Sequence, residues 1–330
     1  MARRLLLLTL ALASGAAFAQ TRTPQQLQTV GTPGPVDQTT QAEDVRFRTD
    51  YFERMTVPVI VSGTGPYRFL VDTGADRTAI SRELASHLGL EAGESAELHS
   101  ISKASIVQTA DVPSLQLTRR ELKVKDAPVL LTANMGADGI LGVDSLRSQR
   151  IMFDFQKQTM EVVPSATPDF KDEPGTIVVE ASRRNGRLIV TEAIANGHTV
   201  TVIIDTGSQI SLGNQALRRS LRGKEMSGHE EVMLESVTGD KLAGDYMVVR
   251  QLQMGPVGLH DLAIVFADAH IFKQLKLDNK PALLLGMNAM RAFKKVSIDF
   301  ASKKLRMIVP EHSMLDVRTA DSGWPAGRGR

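Results

Sequence analysis

A chain of 330 residues exceeds the roughly 100–200 residues of one ordinary domain, so two domains or one bilobal body is expected. The formal net charge is only +2 and no Lys/Arg block interleaves with aromatics, which argues against a nucleic-acid partner. The chain has no cysteine, so disulfides, thiol catalysis and thiolate metal sites are excluded, and its seven histidines form no HxH or HxxxH pair. No metal is expected, and each histidine reads as a surface or ordinary core residue.

Residues 1–19 read as a secretory signal peptide: Arg3 and Arg4 precede an apolar stretch from Leu5 to about Ala17, and small residues lead to a cut after Ala19. A membrane anchor is the alternative, but a spanning helix needs about 20 apolar residues. No later stretch could span a bilayer, so the mature chain is expected outside the cytoplasm, periplasmic or secreted, with no integral membrane span. Residues 20–44 are rich in Thr, Gln, Pro and Gly and predict a flexible linker. The folded part is expected from Val45, and residues 313–330 are expected to form a disordered tail.

Between these ends lies an internal repeat. RFLVDTGADRTAIS (68–81) overlays TVIIDTGSQISLG (201–213), and ADGILGVDSLRSQRIMFDFQKQTMEVVP (137–164) overlays ALLLGMNAMRAFKKVSIDFASKKLRMIVP (282–310). In each half an apolar run ends in Asp-Thr-Gly, alternating strands follow, then aliphatics and a glycine, a short helical stretch and a closing hairpin. The aspartates lie 133 positions apart and the later glycines 144, so the second middle is eleven residues longer. A duplicated unit with loop divergence explains this. Period-2 alternation in 112–131 and 246–267 predicts a mostly β protein, with helix confined to short runs such as 81–90. The lobes are placed at 45–164 and 187–312, joined by an inter-lobe linker at 165–186 containing Pro168, Pro174, Gly175 and Gly186.

Asp-Thr-Gly alone often marks no more than a capped strand end. Here each copy follows a run of strand character, and each half carries its own downstream element, Ile140-Leu141-Gly142 or Leu284-Leu285-Gly286. On these residues the chain resembles the aspartic peptidases, and more closely the retropepsin-like branch found in bacteria, over roughly residues 50–310. Leu70-Val71-Asp72-Thr73-Gly74-Ala75-Asp76 is similar to the retropepsin active-site loop, and Asp205-Thr206-Gly207-Ser208 to the pepsin form. The resemblance implies a bilobal acid-protease fold of two β-barrel-like lobes with short helices, and a catalytic pair, Asp72 and Asp205.

The chemistry of such a pair follows from electrostatics. Two carboxyls brought within about 3 Å across an approximate two-fold axis cannot both ionise easily, so they hold one proton over a wide pH range. The ionised partner can take a proton from a water between them while the protonated one donates to a scissile carbonyl oxygen. The pair titrates as one unit, so neither residue has a fixed role, and no metal or cofactor is required. Gly74 and Gly207 let backbone amides approach the carboxylates. The resemblance implies that Thr73 and Thr206 bond across the axis and that Gly142 and Gly286 pack beneath the loops as structural residues. Ser208 could bond its neighbouring carboxylate, which Ala75 cannot. For Asp76 the resemblance implies contact with substrate backbone or an inter-lobe arginine, against the alternative of a solvated turn residue.

A peptidase of this type also needs a hairpin flap to exclude water. Candidates are His99–Thr109 and Ser236–Gly244, with Ser236, Val237, Thr238 and Gly239 as substrate-binding residues; neither offers the flap tyrosine typical of pepsins. The expected function is an aspartic endopeptidase acting on an extended peptide or protein substrate, and two complete halves in one chain predict an active monomer. A catalytically inactive periplasmic peptide-binding or scaffold protein of the same fold is the alternative from another class. A swapped dimer is also open, because the 22-residue junction is long enough for it.

Overall fold

Alternating side chains along Thr109–Leu117 bury Val112, Leu115 and Leu117 and leave the other face wet, and strands of that kind stabilise one another by curling around a shared core. The computed structural model describes residues 55–310 apart from 118–119, 147, 166–172, 174, 185–186 and 222–225, with short strand backbones at 5–7, 11–13, 44–46, 48–49 and 316–317. Those short strands aside, the expected signal segment, linker 20–44 and tail 313–330 lie outside the described residues.

Two six-stranded barrels result. The first runs in the order Met55–Val61, Thr64–Val71, Gly139–Leu141, Ala79–Ser81, Arg120–Leu130 and Thr109–Leu117, and the last strand closes back on the first. The second follows the same path through Arg187–Ala195, His198–Ile204, Ala282–Leu285, Ser211–Gly213, Val257–Phe266 and Lys241–Met254, which closes on Arg187–Ala195. In each barrel the strand leading into Asp-Thr-Gly pairs in parallel with the downstream aliphatic strand, Val71 beside Leu141 and Ile204 beside Leu285. The short helices are also equivalent: Ser81 caps Arg82–His87 by accepting from Leu84 N, and Asn214 caps Gln215–Ser220 by accepting from Leu217 N.

The closing hairpins of the two halves build one sheet between the barrels, ordered Thr176–Glu180, Lys304–Ile308, Lys295–Asp299, Gln149–Asp154, Thr159–Pro164 and Asp44–Arg46. At its centre Gln149–Asp154 runs antiparallel to Lys295–Asp299. Both hairpins turn alike: Asp154 accepts from the amides of Gln156 and Lys157, and Asp299 from those of Ala301 and Ser302. Part of the stretch 165–186, expected to be linker throughout, is instead sheet. Thr176–Glu180 pairs with Lys304–Ile308, and the alternation that buries Ile177 and Val179 explains why.

Candidate active site

The parallel strand pairs fix where each Asp-Thr-Gly loop begins, because Asp72 N donates to Leu141 O at 3.0 Å and Asp205 N to Leu285 O at 3.1 Å. Each loop is then held from below in an equivalent way. Val143 N bonds Ala75 O and Met287 N bonds Ser208 O, both at 2.8 Å. Gly142 and Gly286 face the loop backbone at Arg77 and Ile210 so closely that a Cβ at either would collide with it. Thr78 Oγ1 bonds Gly142 N and Asp144 Oδ1 on one side; Ser211 Oγ bonds Gly286 N and Asn288 Oδ1 on the other.

This scaffold brings Asp72 and Asp205 together, both without solvent exposure. Thr73 N donates to Thr206 Oγ1 at 3.0 Å and Thr206 N to Thr73 Oγ1 at 3.1 Å. The same hydroxyls donate to Ile204 O and Val71 O on the opposite strands. Four bonds across the axis therefore lock the loops. Asp72 Oδ1 accepts from Gly74 N at 2.8 Å and Ala75 N at 3.0 Å, and Asp205 Oδ1 accepts from Gly207 N at 2.8 Å. A Cβ on Gly207 would strike the Asp72 carboxyl itself, so that position requires glycine. Ser208 places its hydroxyl away from the pair, donating to Ile210 O at 2.7 Å, and it is the Ser208 backbone that faces Asp205.

Burial, reinforced by the Asp205 charge, pushes the Asp72 carboxyl well above the usual range, and burial pushes Asp205 up to about 6. The contact between them raises the first and lowers the second, as it must when two carboxyls share one proton. The site can thus hold one acid and one base at near-neutral pH.

Asp76 meets an inter-lobe arginine. Arg187, fully buried at the start of the second barrel, puts Nη1 2.9 Å from Asp76 Oδ1 and donates Nε to Gly74 O at 2.9 Å. Burial pushes Asp76 up to about 6 against the pull of Arg187. At neutral pH the pair stays charged, since a protonated Asp76 would leave a guanidinium without solvent uncompensated. Arg187 is not among the residues expected at the site. A signal existed: an arginine stands eighteen residues before each Asp-Thr-Gly, Arg54 and Arg187.

The hairpins expected to be flaps differ from their expected limits. The first is Ala96–His99 with Ala104–Val107, while Thr109 belongs to a barrel strand. The second joins Met226–Ser236 to Lys241–Met254. Ser236 and Val237 are buried, the Ser236 and Thr238 hydroxyls bond each other, Thr238 donates to Asp240, and Gly239 packs on Asn134. The Ser236 and Thr238 hydroxyls are thus satisfied within the tip, while Asp240 Oδ1 meets Lys103 of the first hairpin. His99 and His270, each expected to be a surface or ordinary core residue, meet at 2.7 Å between the lobes; residues 171 positions apart leave no local pattern to read. Among the described residues no cluster of His, Asp or Glu could hold a metal, and no helix is long and apolar enough to cross a membrane.

Residues 57–145 and 191–289 match the model of a family described as aspartyl protease. No curated protein matches the chain.

Proposed function

We propose that this chain, which belongs to the aspartyl protease family, is an endopeptidase that hydrolyses peptide bonds with a water activated between Asp72 and Asp205. The observation that carries the reading is the pair itself: two fully buried carboxyls, facing each other and immobilised by reciprocal threonine bonds. The carboxylate partner takes a proton from the water as it attacks the scissile carbonyl carbon. The protonated partner donates to the carbonyl oxygen, giving a tetrahedral diol. The diol then collapses: one carboxyl gives its proton to the departing nitrogen as the C–N bond breaks, the other takes a proton from a diol hydroxyl, and the pair again holds one proton. The amides of Gly74, Ala75 and Gly207 hold the carboxylate oxygens in place during these transfers, and the threonines keep the loops from separating.

Substrate lies extended between the barrels and pairs with the flap edges by strand addition. Support comes from the short backbones at Leu5–Leu7 and Ala11–Ala13, which pair with Ala96–His99 and with Met226–Ser236. The mature chain acts as a monomer outside the cytoplasm after loss of residues 1–19.

Cleavage of a mixed peptide library between pH 3 and 8 tests the reading. Wild type cleaves, and Asp72→Asn and Asp205→Asn each reduce the rate by about 10³-fold or more. A wild type inert across the range would overturn it in favour of a peptide-binding protein, and sedimentation of the same sample checks the monomer.

A further inference from the structure

The flap tips do not rest on their own lobes. Ile101, at the tip of the first, is buried in the second barrel's apolar cluster with Phe272 and Leu275, and its carbonyl accepts from His270 N at 2.7 Å. Val237, at the tip of the second, is buried in the first barrel's cluster with Leu98 and Met135. Lys103 Nζ lies 2.7 Å from Asp240 Oδ1, joining tip to tip. These contacts tie each tip to the opposite lobe, so this is a closed arrangement of the tips, and the first opens only when Ile101 and the contacts beside it release.

Among the described groups that hold the first flap, the His99–His270 contact is the one with ordinary titration between pH 5 and 8. His99 Nδ1 and His270 Nε2 are 2.7 Å apart with nearly parallel rings, and Gln274 Nε2 also approaches His270 Nε2 at 3.2 Å. A contact of that length between two ring nitrogens holds one proton. The Gln274 amide is a donor, so His270 Nε2 is the acceptor and His99 Nδ1 carries the hydrogen. His99 Nε2 is then bare, and it is buried without a hydrogen-bond partner. A second proton has no place in the closed state: on His270 Nε2 it would oppose two donors, and on His99 Nε2 it would be a buried donor with nothing to bond. Of the charges that face the pair, Glu97 on the same flap strand favours protonation, while Arg187 from the second barrel and Lys273 on the helix of His270 oppose it.

We propose that the first flap is an acid-released latch, in which protonation of the His99–His270 pair withdraws Ile101 from the second barrel and opens the cleft. The direction follows from linkage. Burial holds both imidazoles below their usual range in the closed state, so the closed state is favoured above the free histidine value of about 6.5 and loses that advantage as pH falls through it. The latch stands on the closed geometry and goes beyond the peptidase reading.

The absence of native cysteine allows a test that does not depend on cleavage. Spin labels at Ile106→Cys, whose side chain is 59% exposed on the first flap, and at Asp278→Cys on the second lobe report the flap-to-barrel distance. Both are placed in an Asp72→Asn/Asp205→Asn chain, so that the carboxyl pair cannot titrate. One short distance is expected at pH 8, with a longer one growing about tenfold in population by pH 5. Adding His99→Gln/His270→Gln should keep the short distance at both pH values, and its short distance at pH 8 establishes that this variant folds and closes. If that variant fails to close at pH 8, His270→Gln alone replaces it and should reduce the acid response. An unchanged distance in the parent down to pH 5, or an equal acid response in the glutamine variant, would overturn the latch.

Discussion

The loops after Asp72 and Asp205 share a scaffold and differ in charge. Below the first, Thr78 bonds Asp144, which also pairs with Arg77 at 3.3 Å; below the second, Ser211 bonds the neutral Asn288, whose amide donates to Ala263 O. Two residues beyond the glycine, Asp76 reaches Arg187 across the lobes, where the second half has Gln209. The difference shows which parts of the repeat are indispensable. A hydroxyl and an acceptor oxygen beneath each loop recur; charge does not. The extra charge of the first half joins the barrels, through an arginine that the second barrel supplies.

The sharpest way to break this comparison is to remove that arginine. Arg187→Met should destabilise the fold by about 3–5 kcal/mol, because Asp76 and Gly74 O lose their partner in a buried site. Gln209→Met, its counterpart test, should cost less than about 1 kcal/mol. Equal losses in urea unfolding would show that the halves are joined by something else. Thr73→Val and Thr206→Val should each cost about 2 kcal/mol, and by similar amounts, since each removes two bonds across the axis and orphans a buried amide. A large inequality between them would extend the asymmetry into the lock itself.

A smaller effect than those of Arg187 and the threonines concerns pH. Burial raises both carboxyls above the unfolded value of 3.8, so their protonated forms favour the fold; for Asp205 that contribution is complete below about pH 4 and declines as pH rises through about 6. Asp205→Asn should therefore stabilise the protein by roughly 1–2 kcal/mol at pH 8 and by little at pH 4. Thermal unfolding at the two values checks it, and a gain at pH 4 equal to that at pH 8 would rule out buried charge as the cause.

The carboxyl pair was legible because the sequence writes it twice with its supports in order, and local period-2 patterns were enough to indicate strands. The strand at Thr176–Glu180 carries the same pattern, but five residues between Pro174, Gly175 and the following polar run read as linker. Arg187 could have been found by extending the overlay upstream. The docking of Ile101 and Val237 could not, because both are ordinary aliphatics whose burial depends on which lobe the tip reaches. Lys103 and Asp240 are likewise common turn residues until the flaps meet.

The two central strands of the shared sheet come from equivalent places in the repeat, and they pair as Arg150 with Asp299 and Asp154 with Lys295. Each half therefore offers its companion the edge that it would offer a copy of itself. In an assembly of identical chains every substitution arrives twice, so an acid introduced near the axis confronts its own duplicate. Covalent joining of the halves removes that coupling. One side can carry Asp76 and the other Gln209, and the two walls of a single cleft become free to change one at a time.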